Sequence, residues 1–214
     1  MTSVGVLDYG SGNLHSVCQA LTAVGADVVA SSSWHDLDGL DGLALPGVGA
    51  FAACMAGIGL TPRDGYRPWL TDWLAAGRPL LGICVGHQVL FECGVEHGVT
   101  TTGLGVFPGV VEQLPSKRLP HIGWNTVEAP AGSAMFAGIE AQRFYFVHSY
   151  AVLTDVPGAQ VTWCDHEDAR FVAAVEKGPV WSTQFHPEKS GKAGATLLRN
   201  WLEATNHSVM LCGS

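Results

Sequence analysis

Charge is scarce in this chain: of 214 residues only 14% are Asp, Glu, Lys or Arg, and the 11 basic residues never gather into a run. With 19 acidic residues the formal net charge is −8, which argues against a phosphate-tracking nucleic-acid binder and against docking on an anionic membrane surface. A small polar or zwitterionic substrate fits this balance better. Long apolar runs are also missing, so the 47% hydrophobic composition reflects a buried core and not a bilayer span. Six cysteines, at 18, 54, 84, 93, 164 and 212, form neither a dense framework nor a Cys-x-x-Cys pair, and the opening Met1-Thr2-Ser3-Val4 lacks a basic stretch followed by an apolar one. Both features suit a reducing cytoplasm. With no internal repeat and no long polar linker, residues 1–214 read as a single domain with a loose tail from about 205. The loop Asp8-Tyr9-Gly10-Ser11-Gly12-Asn13 has neither the Gly-x-Gly-x-x-Gly fingerprint nor a Walker lysine, which argues against nucleotide binding, and no cofactor is expected.

What the sequence does contain is an alternation of short apolar strands and helices. Residues 4–7 read as a buried strand, 14–24 as a helix stopped by Gly25, and 26–30 and 42–45 as two more strands. Helical segments follow Gly49 and lie between Pro68 and Ala76, and 79–83 is a further strand. This order predicts an α/β fold in three layers, a mostly parallel central sheet with helices on both faces. Beyond about residue 100 the segments 103–114, 144–152, 161–164, 171–175 and 179–185 are strand-like, which adds antiparallel strands, and 193–204 reads as a closing helix.

Leu80-Leu81-Gly82-Ile83-Cys84-Val85-Gly86-His87-Gln88 is the most informative stretch. An apolar strand ends in a cysteine with glycine two residues to either side, the layout of a nucleophile elbow. A sharp strand-to-helix turn crowds the nucleophile against neighbouring backbone, and the glycines relieve that crowding. If 85–92 opens a helix, its dipole favours a Cys84 thiolate, and the Val85 N–H is free for an oxyanion. Taken alone the pattern also fits a buried cysteine that ends a central strand.

A second stretch, Val180-Trp181-Ser182-Thr183-Gln184-Phe185-His186-Pro187-Glu188, delivers an imidazole and a carboxylate two residues apart. In extended chain these share a side, and Pro187 stiffens the turn. Glu188 can set the tautomer of His186 while the other ring nitrogen serves Cys84 as base and acid. By itself His-Pro-Glu reads equally well as a strand-ending turn with a solvated carboxylate. Pro46-Gly47-Val48-Gly49 follows a strand and can turn a second backbone donor into a cleft. Gln88, a helical turn beyond Cys84, shares its face and can reach a substrate.

Together these segments resemble the class I (triad) glutamine amidotransferases, in which a Gly-x-Cys-x-Gly elbow and a distant Phe-His-Pro-Glu supply a Cys-His-Glu triad. The segments Leu45-Pro46-Gly47-Val48-Gly49-Ala50-Phe51, Pro120-His121-Ile122-Gly123-Trp124-Asn125 and Tyr145-Phe146-Val147-His148-Ser149-Tyr150 extend the likeness over nearly the whole chain. Their order is similar to the glutaminase subunits of imidazole glycerol phosphate synthase. That resemblance implies a triad of Cys84, His186 and Glu188, an oxyanion hole from the backbone at Val48 and Val85 after a peptide flip on activation, and a glutamine pocket of Gly49, Gln88, Glu96, Ser149 and Tyr150. It also implies a heterodimer with a cyclase subunit that receives ammonia, with Asn13, Trp124, Tyr145 and Lys189 near that partner.

His87 departs from the bulky apolar residue often found beside the elbow in this family. Cys84, His87, Cys93 and His97 have the look of a metal set, a reading that would consume the elbow cysteine and leave Phe-His-Pro-Glu unexplained; no metal is expected. Two further alternatives stay open at this point: the glutaminase subunit of another synthase, and a silent regulatory module of the same fold.

Overall fold

The computed structural model describes residues 1–59 and 65–212. The first half alternates β1 (Ser3–Leu7), α1 (Leu14–Ala23), β2 (Asp27–Ser31), α2 (Trp34–Leu37), β3 (Gly42–Gly47), α3 (Phe51–Ile58), α4 (Arg67–Ala75), β4 (Leu80–Cys84) and α5 (Val85–Gln88). The second half is mostly strand: β5 (Phe91–Glu96), β6 (Val99–Thr102), β7 (Phe107–Gln113), β8 (His121–Thr126), β9 (Arg143–His148), β10 (Tyr150–Val152), β11 (Gln160–His166), β12 (Ala169–Lys177) and β13 (Val180–Thr183). A 3-10 turn, Pro187–Lys189, leads into α6 (Gly191–Cys212).

Seven strands form the central sheet in the order β11-β12-β13-β4-β3-β1-β2. Its five strands from β13 to β2 are parallel, and β11 and β12 add an antiparallel edge. Strands β3, β4 and β13 are buried at every position, as expected of parallel strands covered on both faces. The order in which strands are added reverses at β1: β2 lies to one side of it, while β3 and then β4 build to the other. Such a switch point opens a crevice at the carboxyl ends of the strands. Gly47 pairs with Cys84, and Thr183 with Ile83, so β3, β4 and β13 end side by side there.

Three expectations change. The helix after Cys84 stops at Gln88 instead of continuing to Glu92, because the chain from Phe91 is taken up as a strand between β6 and β7; apolar spacing around Val89 and Leu90 is ambiguous until that pairing exists. β8, which pairs with β9, has no strand-like run in the sequence to announce it. The closing helix passes residue 204 and runs to Cys212. Buried Thr205 bonds the Trp201 carbonyl and Asn206 accepts a 2.7 Å hydrogen bond from Thr2, so a loose tail does not begin at residue 205.

Candidate active site

Cys84 sits where β4 turns into α5 with φ 57° and ψ −112°, a strained conformation for any residue with a Cβ. The flanking glycines are required by contact. A Cβ on Gly82 would lie 2.7 Å from the Gly86 carbonyl oxygen, and one on Gly86 would collide with the Leu45 carbonyl. Gly47 is as tightly placed, since its Cβ would meet Gly86 N at 2.5 Å. These close approaches hold the nucleophile at the crevice. Val85 is the first residue of α5, so its N–H has no acceptor within the helix.

His186 follows β13, and its Nδ1 is 2.8 Å from Glu188 Oε1. The pair is made by the 3-10 turn that begins at Pro187, the turning one of the two arrangements, extended or turning, that Pro187 allows. Both side chains are almost fully buried, at 3% and 1% exposure. Asn13 Nδ2 donates to the same Glu188 oxygen at 2.8 Å, so the residue expected at a partner face also steadies the carboxylate. His186 Nε2 is buried and forms no hydrogen bond of ordinary geometry within the described residues. Burial opposes a charge on His186, yet the Cys84 sulfur and the Glu188 carboxylate outweigh it and raise the pKa to about 9. Cys84 and the His186–Glu188 pair, about a hundred residues apart in the chain and expected to act as nucleophile, base and orienting carboxylate, come together in one site.

Cys84 and His186 open onto a cavity of about 220 Å³, also lined by Val48, Gly49, Val85, Gln88, Glu96, Ser149, Tyr150 and Lys189. Every residue expected to contact substrate is therefore on its wall. Glu96 is anchored: its Oε2 accepts the Phe51 N–H at 2.9 Å, at the start of α3, where a carboxylate suits the helix dipole. Gln88 Nε2 donates to the Tyr150 carbonyl at 2.9 Å and to Gln184 Oε1 at 2.9 Å. A roomier cleft of about 490 Å³ lies beside Pro79, Lys177 and Trp201, near the opposite ends of the strands. It holds no nucleophile with a base, and chemistry rather than size assigns the site.

The Val48 N–H does not face this cavity. It donates to Ser11 Oγ at 2.8 Å, while the Val48 carbonyl lies 3.3 Å from the same hydroxyl and 3.5 Å from Cys54 Sγ. Ser11 thus holds the Gly47–Val48 peptide through its N–H, and Ser11 and Cys54 hold the next peptide through its carbonyl. Neither residue stood out in the sequence: Ser11 acts only through the packing of the β1 loop on the β3 loop, and Cys54 only through the turn of α3 back onto Val48.

His87 is fully buried; its Nδ1 is 2.8 Å from Ser182 Oγ and its ring meets Phe91 edge-on. Burial pushes its pKa down to about 3. The bond to Ser182 ties α5 to β13. Among the described residues no group of three or more His, Cys, Asp or Glu side chains is placed to hold a metal ion. On the β8–β9 pair, whose Val147 and His148 line the cavity, Trp124 is 50% exposed and meets the Tyr145 ring edge-on, with Ile122 exposed on the same face of β8. Lys189 is exposed as well. The Ile122 contribution to this apolar face was not read from the sequence.

With an elbow cysteine, a buried His-Glu pair and this sheet order, the chain belongs to the class-I glutamine amidotransferase family, whose model matches residues 5–204. A more particular likeness follows. The chain is 56% identical to imidazole glycerol phosphate synthase subunit HisH of Cutibacterium acnes, over 93% of this chain and 95% of that one. It is 55% identical to the protein of the same name from Nocardia farcinica, over 94% and 98%. A solved glutamine amidotransferase structure superposes with TM-score 0.74 at 22% identity, covering 95% of this chain and 98% of that one; at that identity the match speaks for the fold alone.

Proposed function

We propose that this chain is the glutaminase subunit of an imidazole glycerol phosphate synthase in histidine biosynthesis. It hydrolyses glutamine to glutamate and ammonia and passes the ammonia to a cyclase subunit in a cytoplasmic heterodimer. The observation that carries this reading is Cys84 on a strained elbow, in one cavity with a His186 whose other nitrogen is held by Glu188. The likeness to HisH proteins over nearly the full chain supports the particular synthase.

In this reading His186 Nε2 takes the Cys84 thiol proton and the sulfur attacks the side-chain carbonyl of glutamine. Negative charge on the carbonyl oxygen is met by the Val85 N–H and, once it is turned inward, by the Val48 N–H. The His186 imidazolium gives its proton to the departing nitrogen and ammonia leaves a thioester on Cys84. Water, deprotonated by His186, then releases glutamate. Glu96 faces the substrate ammonium, the free Oε1 of Gln88 accepts from the same end, and the backbone at Gly49, Ser149 and Tyr150 frames its carboxylate.

Ammonia released into neutral water is mostly protonated and no longer nucleophilic, so a sealed passage to an acceptor site is chemically useful. The exposed Trp124 and Ile122 beside Tyr145, Asn13 and Lys189 offer an apolar surface rimmed by polar groups that suits a partner. The Ser11 bond leaves the free chain one oxyanion donor short, so hydrolysis is expected to be slow until the partner is bound. The test is glutamate release by the purified chain, alone and with the cyclase subunit and its nucleotide substrate. Slow release alone and marked stimulation in the complex are expected. Full activity of the isolated chain refutes the dependence on the partner, and absence of turnover with the partner refutes the glutaminase.

A further inference from the structure

We propose that Gln184 is a hydrogen-bond donor to the Cys84 sulfur that stabilises its thiolate, in an orientation dictated by the Tyr150 carbonyl through Gln88. The proposal deepens the reading of Cys84 as nucleophile and rests on it for its catalytic meaning. Gln184 is fully buried, with its Nε2 3.9 Å from Cys84 Sγ. A side-chain amide can present either oxygen or nitrogen, and the two have opposite effects on a thiolate. Here the choice is settled by the neighbours. The Tyr150 carbonyl only accepts, and it receives Gln88 Nε2 at 2.9 Å and His148 Nδ1 at 3.0 Å. The Gln88 amide therefore turns its nitrogen inward, and that nitrogen lies 2.9 Å from Gln184 Oε1. Reversing Gln184 would set two NH2 groups against each other; reversing both glutamines would set an oxygen against the Tyr150 carbonyl. Each arrangement buries unpaired groups at substantial cost. What remains is an N–H directed at the sulfur.

An N–H donor favours the ionised sulfur over the neutral thiol. At 3.9 Å the contact is long, and its effect is read from the reactivity of Cys84 when the donor is removed. The other titratable groups around Cys84 are His186 and Glu188 beyond β13, Tyr9 after β1, Cys54 on α3, and Glu96, His148, Tyr150 and Lys189 on the cavity wall. None is altered in the variants below.

The experiment is the pH profile of iodoacetamide alkylation at Cys84 in the full chain, followed on the Cys84 peptide by mass spectrometry, for wild type, Gln184→Met and Gln184→Glu. Methionine fills similar volume without a donor. Glutamate keeps the shape, and once ionised its charge opposes the thiolate. The midpoint is expected to rise by about one pH unit in Gln184→Met and further in Gln184→Glu, with alkylation below the midpoint slowed about tenfold. In the complex kcat falls and KM holds. Thermal unfolding reports whether each variant folds, and should Gln184→Met not fold, the isosteric Gln184→Glu decides. A wild-type midpoint in a folded variant overturns the proposal. A shifted midpoint with no glutamine turnover by the wild-type complex upholds the donor and refutes the glutaminase.

Discussion

Two strand-to-helix turns lie next to each other in the site, and they are built on opposite terms. At the β4–α5 turn, Gly82 and Gly86 are pressed against backbone, and Cys84 takes a conformation that only tight packing sustains. At the β3–α3 turn, Gly49 has φ 93° with nothing within 4 Å of where its Cβ would stand, and Val48 is 36% exposed. One turn is jammed throughout; the other is tight at Gly47 and open at Gly49. Cys84, the proposed nucleophile, is thus preset by the core, whereas the Val48 N–H, the proposed second oxyanion donor, is held by a hydroxyl bond to Ser11. In the proposed mechanism, control of the rate belongs to the roomier turn and the chemistry to the jammed one.

Cys84→Ala strikes the jammed side and should cost the most: glutamine-dependent activity of the complex falls on the order of 10⁶-fold, while activity fed with free ammonia is kept. Loss of both would mean that the elbow is a structural piece. Next in size is Glu188→Gln, which leaves His186 in place but unsettles its tautomer and charge. Glutamate release is expected to fall about 10² to 10⁴-fold, with KM for glutamine little changed. Ser11→Ala acts on the roomy side and in the opposite direction. Removing a hydrogen bond worth about 1 kcal/mol should raise glutamate release by the free chain about fivefold and shrink the stimulation given by the partner. An unchanged basal rate would show that Ser11 does not hold the Val48 peptide back.

The smallest effect concerns stability in acid. Burial holds His87 and His148 down to about 3, and His121 down to about 4, against an ordinary value of 6.5. Below about 6.5 the unfolded chain takes up protons that the fold refuses, so their contribution is whole above that pH and drains as the pH drops toward 4. His186, raised to about 9, works the other way and gives up its contribution between about 6.5 and 9. Calorimetry should find a lower Tm at pH 5 than at pH 7. In His87→Met the acid slope should be shallower by one proton, about 1.4 kcal/mol per pH unit. An unaltered slope would mean that His87 becomes charged within the fold.

Local chemistry is what the sequence made legible. Glycines two residues from Cys84 and a proline between His186 and Glu188 act within a few bonds, and their purpose can be read without the rest of the fold. The parallel half of the sheet was legible too, because strands buried on both faces are short continuous apolar runs. Residues whose work depends on distant neighbours were not. Ser11 matters because the β1 loop packs on the β3 loop; Gln184 because the Gln88 amide is pinned by Tyr150; Asn13 because its amide reaches Glu188. The Val89–Glu92 stretch was misread for the same reason, since a short apolar run takes its form from its partners, here β6 and β7.

The positive φ at Cys84 has a consequence for the future of such a chain. A strained residue of this kind costs roughly 1–3 kcal/mol, and glycine at the same position would relieve it. Reactivity and durability therefore compete at one atom: variants selected only for heat resistance, with no readout of turnover, should drift toward Cys84→Gly and discard the sulfur.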